Sequence, residues 1–187
     1  MQFQLDMESV IGASTQFWEQ MLSMTLQPAP IRCDVGAGER CLVGSVCITG
    51  AWAGRIEVRM TEKLAWTATA AMLMIPVETV SEADAMDATR EIANMVAGTI
   101  KSSLPRPCTM TVPDAVIAPG NLCGDPSLDN MLSVGLDHSE GRLIVRIREQ
   151  ECKQPETESP HAELHAASTA PKEARAMIPL CPVLMPA

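Results

Sequence analysis

Five residues with charged, amide or minimal side chains recur in one segment of the chain. They are Asp87, Glu91, Asn94, Gly98 and Lys101, spaced four, three, four and three residues apart. Residues three or four apart are neighbours on the surface of an α-helix, so the five would form one stripe. Asn and Gly are poor helix formers, and Gly costs about 1 kcal/mol relative to Ala. Their use on a face without packing demands favours a contact surface, where an acid and an amide act on a closely approaching molecule. A merely solvated polar face is the alternative.

The helix that would carry this stripe is predicted over residues 81–105. Ser81 and Asp84 have the spacing of a capping pair at its start, and Pro105 ends it. A turn of about 100° per residue places an apolar set on the opposite side, which we expect to face the core. This set comprises Ala88, Ile92, Met95, Val96, Thr99 and Ile100.

The run from Asp87 to Gly98 reads D-x-x-x-E-I-A-N-M-V-A-G. It resembles the signature helix of the CheC/CheX/FliY phosphatases of bacterial chemotaxis, and its single E-x-x-N is most similar to CheX. The resemblance extends over roughly the first 150 residues. It includes an N-terminal helix, a glycine-bounded hairpin, this helix and a Thr-Val-Pro-x-x-Val-Ile strand at 111–117.

The resemblance implies a phosphatase that accelerates hydrolysis of the aspartyl phosphate on a CheY-type response regulator. Asn94 would orient the attacking water, and Glu91 would pair with a lysine of the regulator. Gly98 would permit close approach, and Asp87 and Lys101 would complete the partner-binding surface. The resemblance also implies a homodimer with no cofactor of its own, because Mg²⁺ is held by the regulator.

The remaining elements predict an α+β fold, with an antiparallel sheet and long helices packed on one side. Helical patterns cover residues 5–26 and 62–74, and a loop is predicted over residues 118–126. Strand patterns with hairpin or turn signals between them occupy residues 31–35, 42–49, 54–60, 108–117, 131–136 and 142–148.

Two of the predicted strands are related in sequence. Gly54-Arg-Ile-Glu-Val-Arg-Met60 matches Gly141-Arg-Leu-Ile-Val-Arg-Ile147, and a helix-then-hairpin order accompanies both. We therefore predict two pseudo-repeated halves. The first helix has no E-x-x-N, so this pair of polar residues occurs in only one half, as the CheX resemblance implies.

Length and composition set further limits. A chain of 187 residues fits one domain over residues 1–150 and a flexible Pro/Ala-rich tail over residues 151–187. The net charge of −9 argues against nucleic-acid binding. No signal peptide begins the sequence and no apolar run approaches the ~18 residues of a membrane span, so we expect a cytoplasmic protein.

Other kinds of site receive little support from the sequence. The seven cysteines include no C-x-x-C pair, which predicts reduced thiols rather than disulfides or zinc. A metal site at His161 and His165 lacks further ligands at suitable spacing, and no P-loop occurs. Besides the phosphatase, two functions remain open: a non-catalytic module that binds a regulator or flagellar partner, and a structural protein that associates through its sheet edges.

Overall fold

The computed structural model describes residues 6–31, 39–119 and 131–149. Contacts divide the chain into two units, Met1–Lys153 and Gln154–Ala187, and every described residue belongs to the first. The predicted tail lies outside the described residues and stays a prediction. In chain order the elements are α1 (Met7–Leu22), β1 (Gln27–Ala29), β2 (Arg40–Gly50), β3 (Gly54–Thr61), α2 (Glu62–Leu73), a 3₁₀ turn (Val77–Thr79), α3 (Glu82–Ser102), β4 (Cys108–Met110), β5 (Asp114–Pro119), β6 (Met131–His138) and β7 (Gly141–Glu149).

The strands form one antiparallel sheet in the order β1–β6–β7–β3–β2, and both β4 and β5 pair with the outer side of β2. Side chains alternate along β3. Ile56, Val58 and Met60 are buried in the cluster formed with the helices, whereas Arg55 lies on the other face and is only half-buried. This arrangement confirms the predicted α+β fold with helices on one side of the sheet.

The two related strands, β3 and β7, are neighbours at the centre of the sheet. Val58 and Val145 are each the fifth residue of their repeat, and they are register partners. A local two-fold axis therefore passes between them. The axis also relates the two edges of the sheet. At one edge β1 of the first half pairs with β6 of the second half, and at the other edge β5 of the second half pairs with β2 of the first half. The pseudo-repeated halves are thus interlocked by strand exchange.

The first helix is shorter than the predicted span of residues 5–26. It ends at Leu22, where Ser23 adopts a left-handed conformation with φ of 54° and the Met24 N–H donates to the Trp18 carbonyl at 3.1 Å. The chain then turns into β1, a strand that the sequence analysis missed. Pro28 is compatible with β1 because an edge strand has one side without a ladder partner.

Other boundaries also differ from the prediction. The single strand predicted over 108–117 is two strands, β4 and β5, separated around Pro113, and β5 continues to Pro119 in place of the predicted loop start. The rest of that loop lies outside the described residues. Ile31 is not in a strand, and residues 32–35 of that prediction are likewise not described. The final hairpin turns at only Ser139 and Glu140.

Helix α3 packs almost directly on the backbone of β2 at Gly44. A Cβ atom at this position would lie 2.6 Å from the Thr89 carbonyl oxygen and 2.8 Å from the Ala93 Cβ. Real Cβ atoms do not approach other atoms this closely, and a helix backbone cannot yield as a flexible side chain can. Gly44 therefore sets the distance between α3 and the sheet.

We expect Gly44→Ala to reduce the free energy of unfolding by about 1–3 kcal/mol, because the added methyl forces α3 away from β2. Urea denaturation measures the change. Gly12→Ala is the matched control, since Gly12 is an exposed residue of α1 whose added Cβ would have no atom within 4 Å. That variant should gain up to about 1 kcal/mol. Equal stability of Gly44→Ala and the wild type would contradict the close packing.

Candidate functional site

The start of α3 is fixed by the predicted capping pair. The Ser81 hydroxyl accepts from the Asp84 N–H at 3.2 Å, and the Asp84 carboxylate accepts from the Ser81 N–H at 3.0 Å. The hydrogen bond from the Ser81 side chain, followed by that from the Ser81 backbone, holds the pKa of Asp84 below its ordinary value. Two orphan donors of the first turn are thereby satisfied, which fixes the helix start.

A second set of contacts at this end of α3 was not predicted. Arg40 of β2 donates from Nε to Glu62 at 3.0 Å and from a terminal nitrogen to Glu82 at 2.8 Å. Its guanidinium carbon also lies 6.0 Å from the ring centre of Trp66. Glu62, and to a lesser degree Glu82, raises the pKa of Arg40. Because the two glutamates begin α2 and α3, one arginine links the starts of both helices to the sheet.

The buried face of α3 is broader than predicted and displaced around the helix. Ala88, Ile92, Val96 and Ile100 are buried as expected, whereas Met95 and Thr99 are only half-buried. The displacement follows from the close approach to β2, which favours small side chains at the contact. The additional buried residues are Ala85, Thr89, Ala93 and Ala97.

The five stripe residues all lie on the side of α3 away from this core. Asp87, Glu91 and Gly98 are exposed, whereas Asn94 and Lys101 are half-buried. The structure therefore brings them onto one accessible helix face. Their catalytic and partner-binding roles stay predictions.

Gly98 has no packing role among the described residues. A Cβ atom built there would meet nothing within 4 Å, and the residue has ordinary helical geometry. Close helix–sheet contact explains Gly44, but no comparable contact explains Gly98. The flat surface it leaves beside Asn94 is available to a molecule that approaches α3 from outside.

Arg90 is a charged neighbour of the stripe that the sequence analysis missed. Its guanidinium pairs with Asp87, and the two side chains are 38% and 78% exposed. The signal was present in the sequence, because Arg90 is three residues after Asp87 and four before Asn94, both neighbour spacings on a helix.

Within residues 6–31, 39–119 and 131–149, no three His, Cys, Asp or Glu side chains come together to form a possible metal site. Three cysteines fall in these ranges, Cys41, Cys47 and Cys108, and none of the three is in a disulfide. No helix in the described part of the chain has the length and apolarity needed to cross a membrane. The stripe therefore offers an amide and charges, but no described metal cluster.

Residues 42–134 match the family model described as chemotaxis phosphatase CheX, and this segment includes the whole stripe. Over this segment the chain is similar to CheX. The CheX-like fold is also found in solved structures. CheX from Vibrio vulnificus shares 20% identity at a TM-score of 0.61, covering 77% of this chain and 98% of that one. A CheC-like superfamily protein from Shewanella sp. PV-4 shares 19% identity at a TM-score of 0.62, and the match covers 76% of this chain and 97% of that one.

A third similar structure is a CheX–CheY–BeF₃–Mg²⁺ complex from Borrelia burgdorferi. The matching chain shares 16% identity with this CheX-like protein at a TM-score of 0.60, and the match covers 79% of this chain and 100% of that one. At these identities the three structures establish a common fold. The comparison with curated proteins gave no match.

We expect Gly98→Ala to raise the free energy of unfolding by about 0.5–1 kcal/mol, because alanine is the better helix former and the space is open. Thermal and urea denaturation measure the gain, and Gly12→Ala on α1 should give a similar value. A loss of stability would show instead that Gly98 has a packing role in the free protein.

Proposed function

We propose that this CheX-like protein accelerates hydrolysis of the aspartyl phosphate of a CheY-type response regulator. The observation that carries the proposal is the accessible Glu91 and Asn94 face of α3, which lies inside the segment matched by the chemotaxis phosphatase family model. The Borrelia complex supports the choice of partner, since it contains CheX together with CheY. Its BeF₃ group has the geometry of a phosphoryl group and stands in for one.

The reaction requires little chemistry from the phosphatase itself. A water oxygen forms a bond to phosphorus while the bond between phosphorus and the aspartate oxygen breaks. The aspartate departs with the electron pair as a carboxylate, and both water protons remain on the released phosphate. Because the leaving group needs no proton, the reaction depends mainly on the position of the water and on stabilisation of charge.

Asn94 has the side chain suited to positioning that water. Its carbonyl oxygen accepts a hydrogen bond from the water and its NH₂ group donates one, with no change of protonation. Rigid positioning matters because a displacement of about 1 Å costs on the order of 100-fold in rate. The close packing of α3 on β2 supplies that rigidity.

Glu91 lies one turn from Asn94 and is exposed. In the proposed complex it pairs with a lysine of the regulator, a charge-assisted contact that fixes the register of α3 against the phosphorylated site. Gly98 would let the regulator approach closely, and Asp87 and Lys101 would lie at the two ends of the interface. The proposal assigns Mg²⁺ to the regulator and no cofactor to this chain.

Oligomerisation and location are separate proposals. We infer a cytoplasmic homodimer joined through sheet edges. The outer edges of β1 and of β4 and β5 have no described strand beside them, and exposed strand edges are suited to pairing with another chain.

The test is the decay of a phosphorylated CheY-type receiver with and without catalytic amounts of the protein. Wild type should accelerate decay, and Asn94→Ala should lose about 100-fold of that acceleration while it still binds the receiver. Glu91→Ala should reduce the acceleration of decay and weaken binding to the receiver. Gln16→Ala is the matched control, because it removes an exposed amide from α1 and should leave the decay unchanged.

The outcomes separate the proposed functions. Acceleration that depends on Asn94 and Glu91 supports the phosphatase. Binding without acceleration for wild type would identify a non-catalytic module. A protein that neither binds nor accelerates any receiver of its host, and that is insensitive to both substitutions, would contradict the proposal and favour a structural role.

A further inference from the structure

Arg90 places a positive charge beside the candidate water-positioning residue. At about 100° per residue, Asn94 lies about 40° around the helix from Arg90 on one side and about 60° from Glu91 on the other. Four residues correspond to about 6 Å along the axis, which is within reach of an arginine side chain. Asn94 is therefore located between a cation and an anion on the surface of α3.

The partner that Arg90 has in the free protein is weakly held. In the described part of the chain, Asp87 is its one ion-pair partner, and Asp87 is 78% exposed. Exposed pairs at helical spacing contribute little to stability, because water and salt screen them. A stronger anion can therefore displace Asp87 at little energetic cost.

Charge balance makes such an exchange favourable in the proposed complex. An aspartyl phosphate carries two negative charges, and both Asp87 and Glu91 would face it from the stripe. Lys101 is seven residues beyond Asn94, about 10 Å along the axis. Arg90 is thus the cation nearest to Asn94 on this helix face, and it would add one positive charge to those of the Mg²⁺ and the lysine that the regulator brings in the proposed complex.

We propose that Arg90 exchanges Asp87 for the phosphoryl group when α3 docks, and donates N–H hydrogen bonds to its oxygens. The inference rests on the phosphatase function proposed above. Guanidinium matches phosphate oxygens in a two-pronged geometry that ammonium cannot reproduce. The bonds made and broken are those already given for the water and the carboxylate. Arg90 stays protonated throughout and stabilises charge on the phosphoryl oxygens.

The proposal gives different expectations for substitutions at the two partners. Arg90→Ala should lower the acceleration of decay by about 100-fold, the usual effect of removing one preorganised donor. Arg90→Lys keeps the charge but loses the fork geometry, so it should recover only part of that loss. Asp87→Asn should bind the phosphorylated receiver several-fold more tightly, because it frees Arg90 and removes one negative charge.

The deciding measurement is the affinity for a receiver loaded with BeF₃⁻ and Mg²⁺ relative to the same receiver with Mg²⁺ alone. Wild type should prefer the loaded form. Arg90→Ala should lose most of that preference, whereas Asn94→Ala should retain it, since the water-positioning amide does not contact the phosphoryl oxygens. Lys63→Ala and Glu140→Gln are matched controls. Each removes one charge from a surface ion pair of 2.9 Å between Lys63 on α2 and Glu140 in the turn before β7.

Two results would overturn the inference while the proposed function stands. One is a wild-type-like decay rate and preference in Arg90→Ala. The other is an equal loss of acceleration and of preference for the loaded receiver in Arg90→Ala and Asp87→Asn. That result would show that only the pairing of the two residues with each other matters. Wild-type protein that accelerates no receiver would instead remove the proposed function, and this inference with it.

Discussion

The contact between α3 and β2 at Gly44 is the constraint on which the rest of this structure depends. No side chain separates the helix from the strand there, so small residues line the buried side of α3. Atoms in such direct contact leave the helix no freedom to roll or slide. The opposite side is consequently held in a fixed orientation, and α1 and α2 flank the helix without covering it. A surface that positions a water molecule needs this kind of fixed support.

The fold is symmetric, but the pair formed by Glu91 and Asn94 occurs in only one of its halves. Two interlocked halves meet at β3 and β7, and each half contributes a helix to the same side of the sheet. Helix α1 has an exposed glycine, Gly12, but no Glu and Asn at E-x-x-N spacing. The repeat therefore preserves what the core requires, while the exposed faces of the two helices have diverged. Packing constrains buried positions far more strongly than solvent-facing ones.

The stripe offers only part of what the proposed reaction requires. With the neighbouring Arg90 it presents the Asn94 amide and the charges of Asp87, Glu91 and Lys101, but the described residues hold no cluster of metal ligands. These groups can orient water and balance charge, which are the principal requirements of phosphoryl transfer. They cannot provide the phosphoryl group or its metal. In the proposed function the response regulator supplies both.

The sequence by itself determined the features that depend on neighbouring residues. The capping pair at Ser81, the helix that follows and the two hairpins were predicted because helix and strand periods are local. Tertiary structure alone decided which elements meet. The pairing of β1 with β6, the pairing of both β4 and β5 with β2, and the contacts of Arg40 with glutamates 22 and 42 residues away all join distant parts of the chain. Local periodicity carries no information about such contacts, because they depend on how complementary surfaces pack after the chain has folded back on itself.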